Sequence, residues 1–200
     1  MDTKTFIDKL NDMTKRAFEK LRAKHPDFNL YTALIYIDFI DAIPAYLNGE
    51  KEENIKSRAV CTIGFDSLEN SLKRADEWIA SLDPRNERAD RNATRTYRTQ
   101  DLLVKDIERI ECDEIKIKDA HEAIMTYKKC SKVCITANIE AQGLNISEGA
   151  AVVFLSETWL SYYGMYGIVD LGIKRGEKGW LSFWNVSFLL LILLLIYLFF

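Results

Sequence analysis

The sequence predicts an α+β domain, a sheet packed by helices, with an N-terminal amphipathic helix and a C-terminal transmembrane helix. Three observations predict it. Residues 3–24 place Phe6, Ile7, Leu10, Met13, Ala17, Phe18 and Leu21 at a three-to-four spacing with charges between them, the pattern of an amphipathic helix. Leu30–Ile40 is a run of apolar, β-branched and aromatic residues, the pattern of a buried strand. Trp180–Phe200 holds no charge at all. Strands and helices alternate irregularly between these landmarks, which argues for α+β rather than a helical bundle.

Taken in order, the first helix is stopped by His25-Pro26, because the residue before a proline is pushed out of the helical region. After the Leu30–Ile40 strand, Asp41 is placed to cap a short helix with Pro44 in its first turn. Residues 51–82 are helical in pattern, with Trp78 and Ile79 facing inward, although Val60–Ile63 reads alternatively as a short strand. Residues 83–98 form a polar break. Arg85, Arg88, Arg91, Arg95 and Arg98 would share a face if this segment were helical, and such a stripe suits anionic headgroups. A solvated loop neutralised by Asp83, Glu87 and Asp90 is the simpler reading.

Helical spacing returns at Leu103, Ile107 and Ile110, and Glu114–Lys118 alternates like a half-exposed strand. Ala150–Leu155 is a short buried run, Ser156 is placed to cap a helix through Tyr163, and Gly167–Gly172 reads as another strand. The domain boundaries that follow are 1–26 for the amphipathic helix, 27–179 for the α+β domain and 180–200 for the anchor.

The 21 residues of 180–200 match a ~30 Å hydrocarbon core at about 1.5 Å rise per residue. Lys174, Arg175 and Lys178 precede them, and Trp180 and Trp184 lie at interface depth, which orients the preceding chain toward the cytoplasm. The expectation is a single-pass protein of the cytoplasmic membrane with its N-terminal domain cytosolic and the lipid bilayer as its partner. Gly149–Val169 is also apolar, but Glu157 and several hydroxyls within it mark the core of a water-facing domain. The net charge of -3 excludes a generally basic nucleic-acid binder.

The chemistry-bearing residues are few. Cys112, His121, Cys130 and Cys134 lie close in sequence, but structural zinc sites build on tighter cysteine pairs than Cys130 and Cys134 provide, so reduced thiols are expected. Asp38 lies near the C-terminal end of a strand, followed by Asp41. A carboxylate so placed is a candidate ligand for Mg2+ or Mn2+, a cation that takes one or two carboxylates plus phosphate oxygens. Asp41 has the competing role of helix cap.

The last third of the chain carries a longer pattern. Val133-Cys134-Ile135-Thr136-Ala137-Asn138-Ile139-Glu140 is followed by Val152–Trp159, then Asp170-Leu171-Gly172, Lys178-Gly179 and Phe183-Trp184-Asn185-Val186. In order and rough spacing this resembles the end of the class III adenylate/guanylate cyclase catalytic domain. Ile35–Ile40 likewise resembles that family's first strand, which ends in a metal-binding aspartate, here Asp38. The resemblance implies a cyclase-like sheet, a nucleoside triphosphate ligand, a divalent metal, a homodimer with its site between chains, and a place in cyclic-nucleotide signalling. Cys134 and Asn138 fall where the family carries the asparagine and arginine that act on ribose and transition state. Losing that guanidinium removes several kcal/mol of electrostatic stabilisation. The family's second metal aspartate has only Asp66, after Ile63-Gly64-Phe65, as a counterpart, and it lies too near Asp38 in sequence. A closing strand at Phe183–Val186 would leave residues 187–200 alone for the membrane, fewer than the ~20 that a span needs. The expected function is therefore a membrane-anchored, non-catalytic or strongly diverged relative that binds nucleotide or a partner. An active phosphorus-oxygen lyase and an unrelated tail-anchored interaction protein are the alternatives.

Overall fold

A computed structural model describes residues 1–81, 99–156 and 165–171 of the chain. Asp2 begins the first element, its carboxylate accepting the Thr5 N–H at 2.7 Å. This is an N-cap, which satisfies one of the amide donors that a helix start leaves orphaned. Helix α1, Thr3–Lys24, follows and buries Phe6, Leu10, Met13, Ala17, Phe18 and Leu21. Strand β1 is Asn29–Phe39, a short helix α2 is Ala42–Leu47, and strand β2 is Lys56–Ser67. Helix α3 covers Leu68–Ser81, strand β3 Val104–Lys116, helix α4 Ile117–Gln142, strand β4 Asn145–Ser156 and strand β5 Met165–Asp170.

The strands form one mixed five-stranded sheet in the order β3-β2-β1-β4-β5. The first three make an antiparallel meander, α4 carries the chain back across it, and β4 lies parallel to β1. The edge strand β5 is antiparallel to β4. Strand side chains alternate between faces, and the alternation here is read directly. Ile35, Ile37, Ala59, Cys61, Ile63, Phe65, Val152 and Phe154 point to the face covered by α1 and α4. Tyr36, Asp38, Val60, Thr62 and Arg109 point to the other.

The helix-covered face is the main core. The Phe18 and Phe65 rings stand 5.0 Å apart, and Tyr127 meets Phe154 edge-on at 6.0 Å. Each such fully buried large side chain contributes about 1.5–3 kcal/mol relative to an exposed one. The Tyr127 hydroxyl donates to Thr14 Oγ1 at 3.0 Å, and Thr14 Oγ1 donates in turn to the Leu10 carbonyl at 2.7 Å. Burial pushes the Tyr127 hydroxyl well above its ordinary range, so it stays protonated and keeps α1 tied to α4. Glu108 of β3 is fixed under α1 by Arg16 at 3.0 Å and by Lys20. Burial works to raise its carboxyl, but the hydrogen bonds and charges of these two cations outweigh that and hold it below the usual range.

Three expectations change. Residues 51–82 are not one helix, because Ala59, Cys61, Ile63 and Phe65 alternate into the core as β2 before α3 begins at Leu68. Residues 104–116 are a strand, not a helix. Glu108, Ile110 and Cys112 alternate toward the helix-covered face opposite Ile63, Cys61 and Ala59, and Asp106, with a left-handed φ of 41°, marks the irregular start of the strand. The strand expected at Glu114–Lys118 stops at Lys116, where α4 takes over. The apolar stripe of α1 packs on this chain's own sheet and α4.

The strands expected at Leu30–Ile40, Ala150–Leu155 and Gly167–Gly172 correspond to β1, β4 and β5. The helix expected after Ser156, the side chains of Trp78 and Ile79, the arginine stripe and the 180–200 anchor lie outside the described residues. Among the described residues, no helix is long and apolar enough to cross a membrane.

Candidate functional site

The face of the sheet away from α1 and α4 divides into two ends. At one end Leu34, Leu102 and Val153 form a small apolar cluster, with Leu155 and Ile168 against it. Beside it Asp66, fully buried, accepts from Ser71 Oγ at 2.8 Å, Asn70 Nδ2 at 2.6 Å and Arg74 at 2.7 Å, which joins β2 to α3. At the other end lies a cavity of about 240 Å³ lined by Tyr36, Asp38, Ile40, Val60, Thr62, Thr99, Asp106 and Arg109.

The strand register builds this second end. Tyr36 sits opposite Thr62 and Asp38 opposite Val60, so their side chains rise together from neighbouring strands. Arg109 sits opposite Thr62 on the far side, which brings a guanidinium into the same row. Asp106, in its left-handed conformation, supplies a second carboxylate from the irregular start of β3. Asp38 is half-buried, Asp106 and Arg109 are exposed, and Arg109 also reaches Glu111 at 3.3 Å. The cavity therefore offers carboxylate and hydroxyl oxygens on one wall and a cation on another. That donor set is hard oxygen, suited to Mg2+ or Mn2+ when a ligand's phosphate oxygens and water complete the shell.

The sequence candidates fall in different places. Asp38 is where a strand-end ligand was expected. Asp41 flanks α2 without capping it through its side chain. Its carboxylate turns instead to the Arg58 guanidinium, at 3.1 Å from Nε, and this pairing draws its carboxyl below the ordinary range. Asp66 belongs to the other end of the sheet. It lies six residues along β2 from Val60, the partner of Asp38, a separation of about 20 Å at ~3.3 Å per residue, so the two carboxylates cannot share an ion.

The four residues weighed for zinc do not converge. Cys112 is in β3, the His121 ring packs edge-on against Phe39 at 5.9 Å, and Cys130 and Cys134 lie further along α4. Among the described residues, no three histidine, cysteine or acidic side chains are grouped to hold a metal. Cys134 and Asn138 are also on α4, across the sheet from Asp38. A site combining them with Asp38 would need a second chain.

Tyr36, Thr62, Asp106 and Arg109 were not singled out from the sequence. Thr62 and Arg109 become neighbours of Asp38 only through the register of β2 and β3, and both segments carry spacings that also suit a helix. No family model matches the chain, and comparison with curated proteins and with solved structures found no match.

Proposed function

We propose that this chain is a membrane-tethered, non-catalytic module that binds a divalent cation together with the phosphate groups of a nucleoside triphosphate on the open face of its sheet. One observation carries the reading: Asp38, Asp106, Thr62 and Arg109, from three different strands, line a single cavity. Two carboxylates suit the cation, and the guanidinium suits a phosphate, whose oxygens it meets in a planar fork. A volume of about 240 Å³ lies below the ~300–1,000 Å³ of most small-molecule sites. It has room for the cation and phosphates, with sugar and base resting outside. The class III cyclase resemblance supports the same ligand. The presence of Cys134 and Asn138 where that family places asparagine and arginine supports binding without turnover.

The test uses the full chain in detergent micelles. Mg2+ or Mn2+ with a nucleoside triphosphate at a hundredfold excess over Kd is expected to stabilise the fold by about 2.7 kcal/mol, read as a rise in the thermal midpoint. Asp38→Asn should abolish the increment, and Arg109→Met should weaken it while leaving the protein folded without ligand. No shift with any nucleotide–metal pair would leave a tail-anchored scaffold as the better account. A cyclic nucleotide product that disappears in the Asp38→Asn protein would mean an active lyase instead.

Residues 180–200 supply the tether in this reading. Full-length chain is expected to remain in the membrane pellet through alkaline carbonate, and a chain stopped after Gly179 should leave it. Recovery of the full-length chain in high-salt supernatant without detergent would contradict the tether.

A further inference from the structure

We propose that the outer edge of β3 pairs with β3 of a second copy of this chain, antiparallel about a two-fold axis at Ile110. The pairing does not depend on the nucleotide reading. β3 ends the sheet beside β2, so among the described residues no strand lies along its other side. The outward backbone N–H and C=O groups of such an edge are a template for another strand.

Two features fix the partner and the register. The first is the regular stretch of β3. Glu108 to Cys112 pair in unbroken register with Ile63 to Ala59, and the register shifts on either side of this stretch. Its centre is Ile110. An antiparallel pairing of two copies that uses the whole stretch therefore sets Ile110 opposite itself, and each contact occurs twice. The second feature is charge. In that register Arg109 of each copy lies opposite Glu111 of the other, on the open face of the sheet. Within one chain these two exposed side chains already meet at 3.3 Å, so neither has to change strand face to reach across the edge. Sliding the pairing by two residues, the smallest step that keeps the faces matched, sets Arg109 opposite Arg109 or Glu111 opposite Glu111. Like charges directly opposed are destabilising.

On the helix-covered face the half-buried Ile110 meets its own copy. Glu108 lies opposite Cys112 of the second copy, and its charge is already matched by Arg16 and Lys20 of its own chain. Asp106 and Glu114 would oppose one another in a longer pairing, but both lie beyond the register shifts. Charges on an edge strand commonly keep it from pairing. A uniform sign would repel every copy, whereas the alternation from Arg109 to Glu111 selects one register of one partner, this strand itself. Because Arg109 also lines the Asp38 cavity, the junction brings a carboxylate of the second copy to the rim of each candidate site.

The test uses full-length chain in detergent, with micelles in excess so that separate chains do not share one. Analytical ultracentrifugation is expected to show a concentration-dependent dimer. Arg109→Glu and Glu111→Arg should each raise its dissociation constant about tenfold or more, because two attractive pairs per dimer become two repulsive ones. An equimolar mixture of the two variants should dimerise again, since every altered position then faces its complement. That recovery cannot come from the contact within one chain, where each variant holds like charges. Both side chains are exposed, so each variant should keep the parent's thermal midpoint at concentrations where the parent is also monomeric. Amide hydrogen exchange gives a second reading: protection at 108–112 should rise with concentration in the parent and in the mixture, and in neither variant alone. A parent that stays monomeric, a dimer that both variants leave intact, or a mixture that fails to dimerise overturns the proposal.

Discussion

Asp66→Ala is expected to destabilise the domain by about 3–5 kcal/mol, the cost typical of breaking a buried ion pair by deleting one partner. The carboxylate has no exposed surface, and it is held by Ser71, Asn70 and Arg74, the last with only a quarter of its side chain exposed. Removing it strands the donors that surround it. Arg74 keeps only the more distant Asp101, at 3.9 Å, as a counter-charge among its described partners. Asp66→Asn retains the shape and an acceptor oxygen, so it should cost less. The Asp66→Ala/Arg74→Ala double variant should recover part of the loss, because the cation deprived of its nearest counter-charge is gone. Thermal midpoints of the three proteins decide the matter. Additive losses from the two single changes would show that the pair is not coupled. This position also tests the boundaries of the candidate site, since Asp66→Asn should leave any response to metal and nucleotide at Asp38 intact.

Gly64→Val should cost about 3 kcal/mol, at the upper end of what overpacking produces. A Cβ at residue 64 would lie 2.6 Å from Leu102 Cδ1 and 2.7 Å from the Val104 carbonyl oxygen. The leucine can rotate away, but the carbonyl belongs to the backbone of β3. The strand itself must move, and with it Asp106, whose amide nitrogen would be 3.4 Å from the same Cβ. Combining Gly64→Val with Leu102→Ala is therefore expected to restore little. Amide hydrogen exchange should show protection lost along β3 and preserved along β1. Uniform loss along both strands would mean that the clash is relieved by global loosening and not by displacement of the edge strand. Because Asp106 and Arg109 ride on β3, the same variant should weaken ligand binding without touching Asp38.

The parts of the fold that were legible are those whose period has a single interpretation. In α1 the charges between Phe6, Leu10, Met13 and Ala17 leave no strand that could bury them all. In β1 the run from Leu30 to Ile35 is buried on both faces, and Tyr36 followed by Asp38 marks where one of those faces opens. β2 was legible only as the alternative strand at Val60–Ile63, because Val60 and Cys61 are both buried, on opposite faces, and alternation disappears from the sequence. β3 was obscured because one of its inward positions is Glu108, buried under α1, so its apolar residues alone show no alternation. Nothing in an amino-acid string declares which carboxylate a fold will bury. The site follows the same division. Asp38 was readable because a strand end is a local feature, while Arg109 and Thr62 join it only through strand register.

The placement of β4 beside β1 has a consequence for how the chain reaches this state. Ile35 pairs with Phe154, so the centre of the sheet is completed by a strand synthesised only after β2, β3 and α4. β1, β2 and β3 each pair with the next strand in sequence, but one side of β1 stays open until α4 has crossed the sheet and delivered β4. Loop closure over so much chain must be met before its contacts return any energy, which places this topology among the slower folders. Until then β1 presents an unsatisfied edge, an exposure that favours association with other chains while the sheet is incomplete.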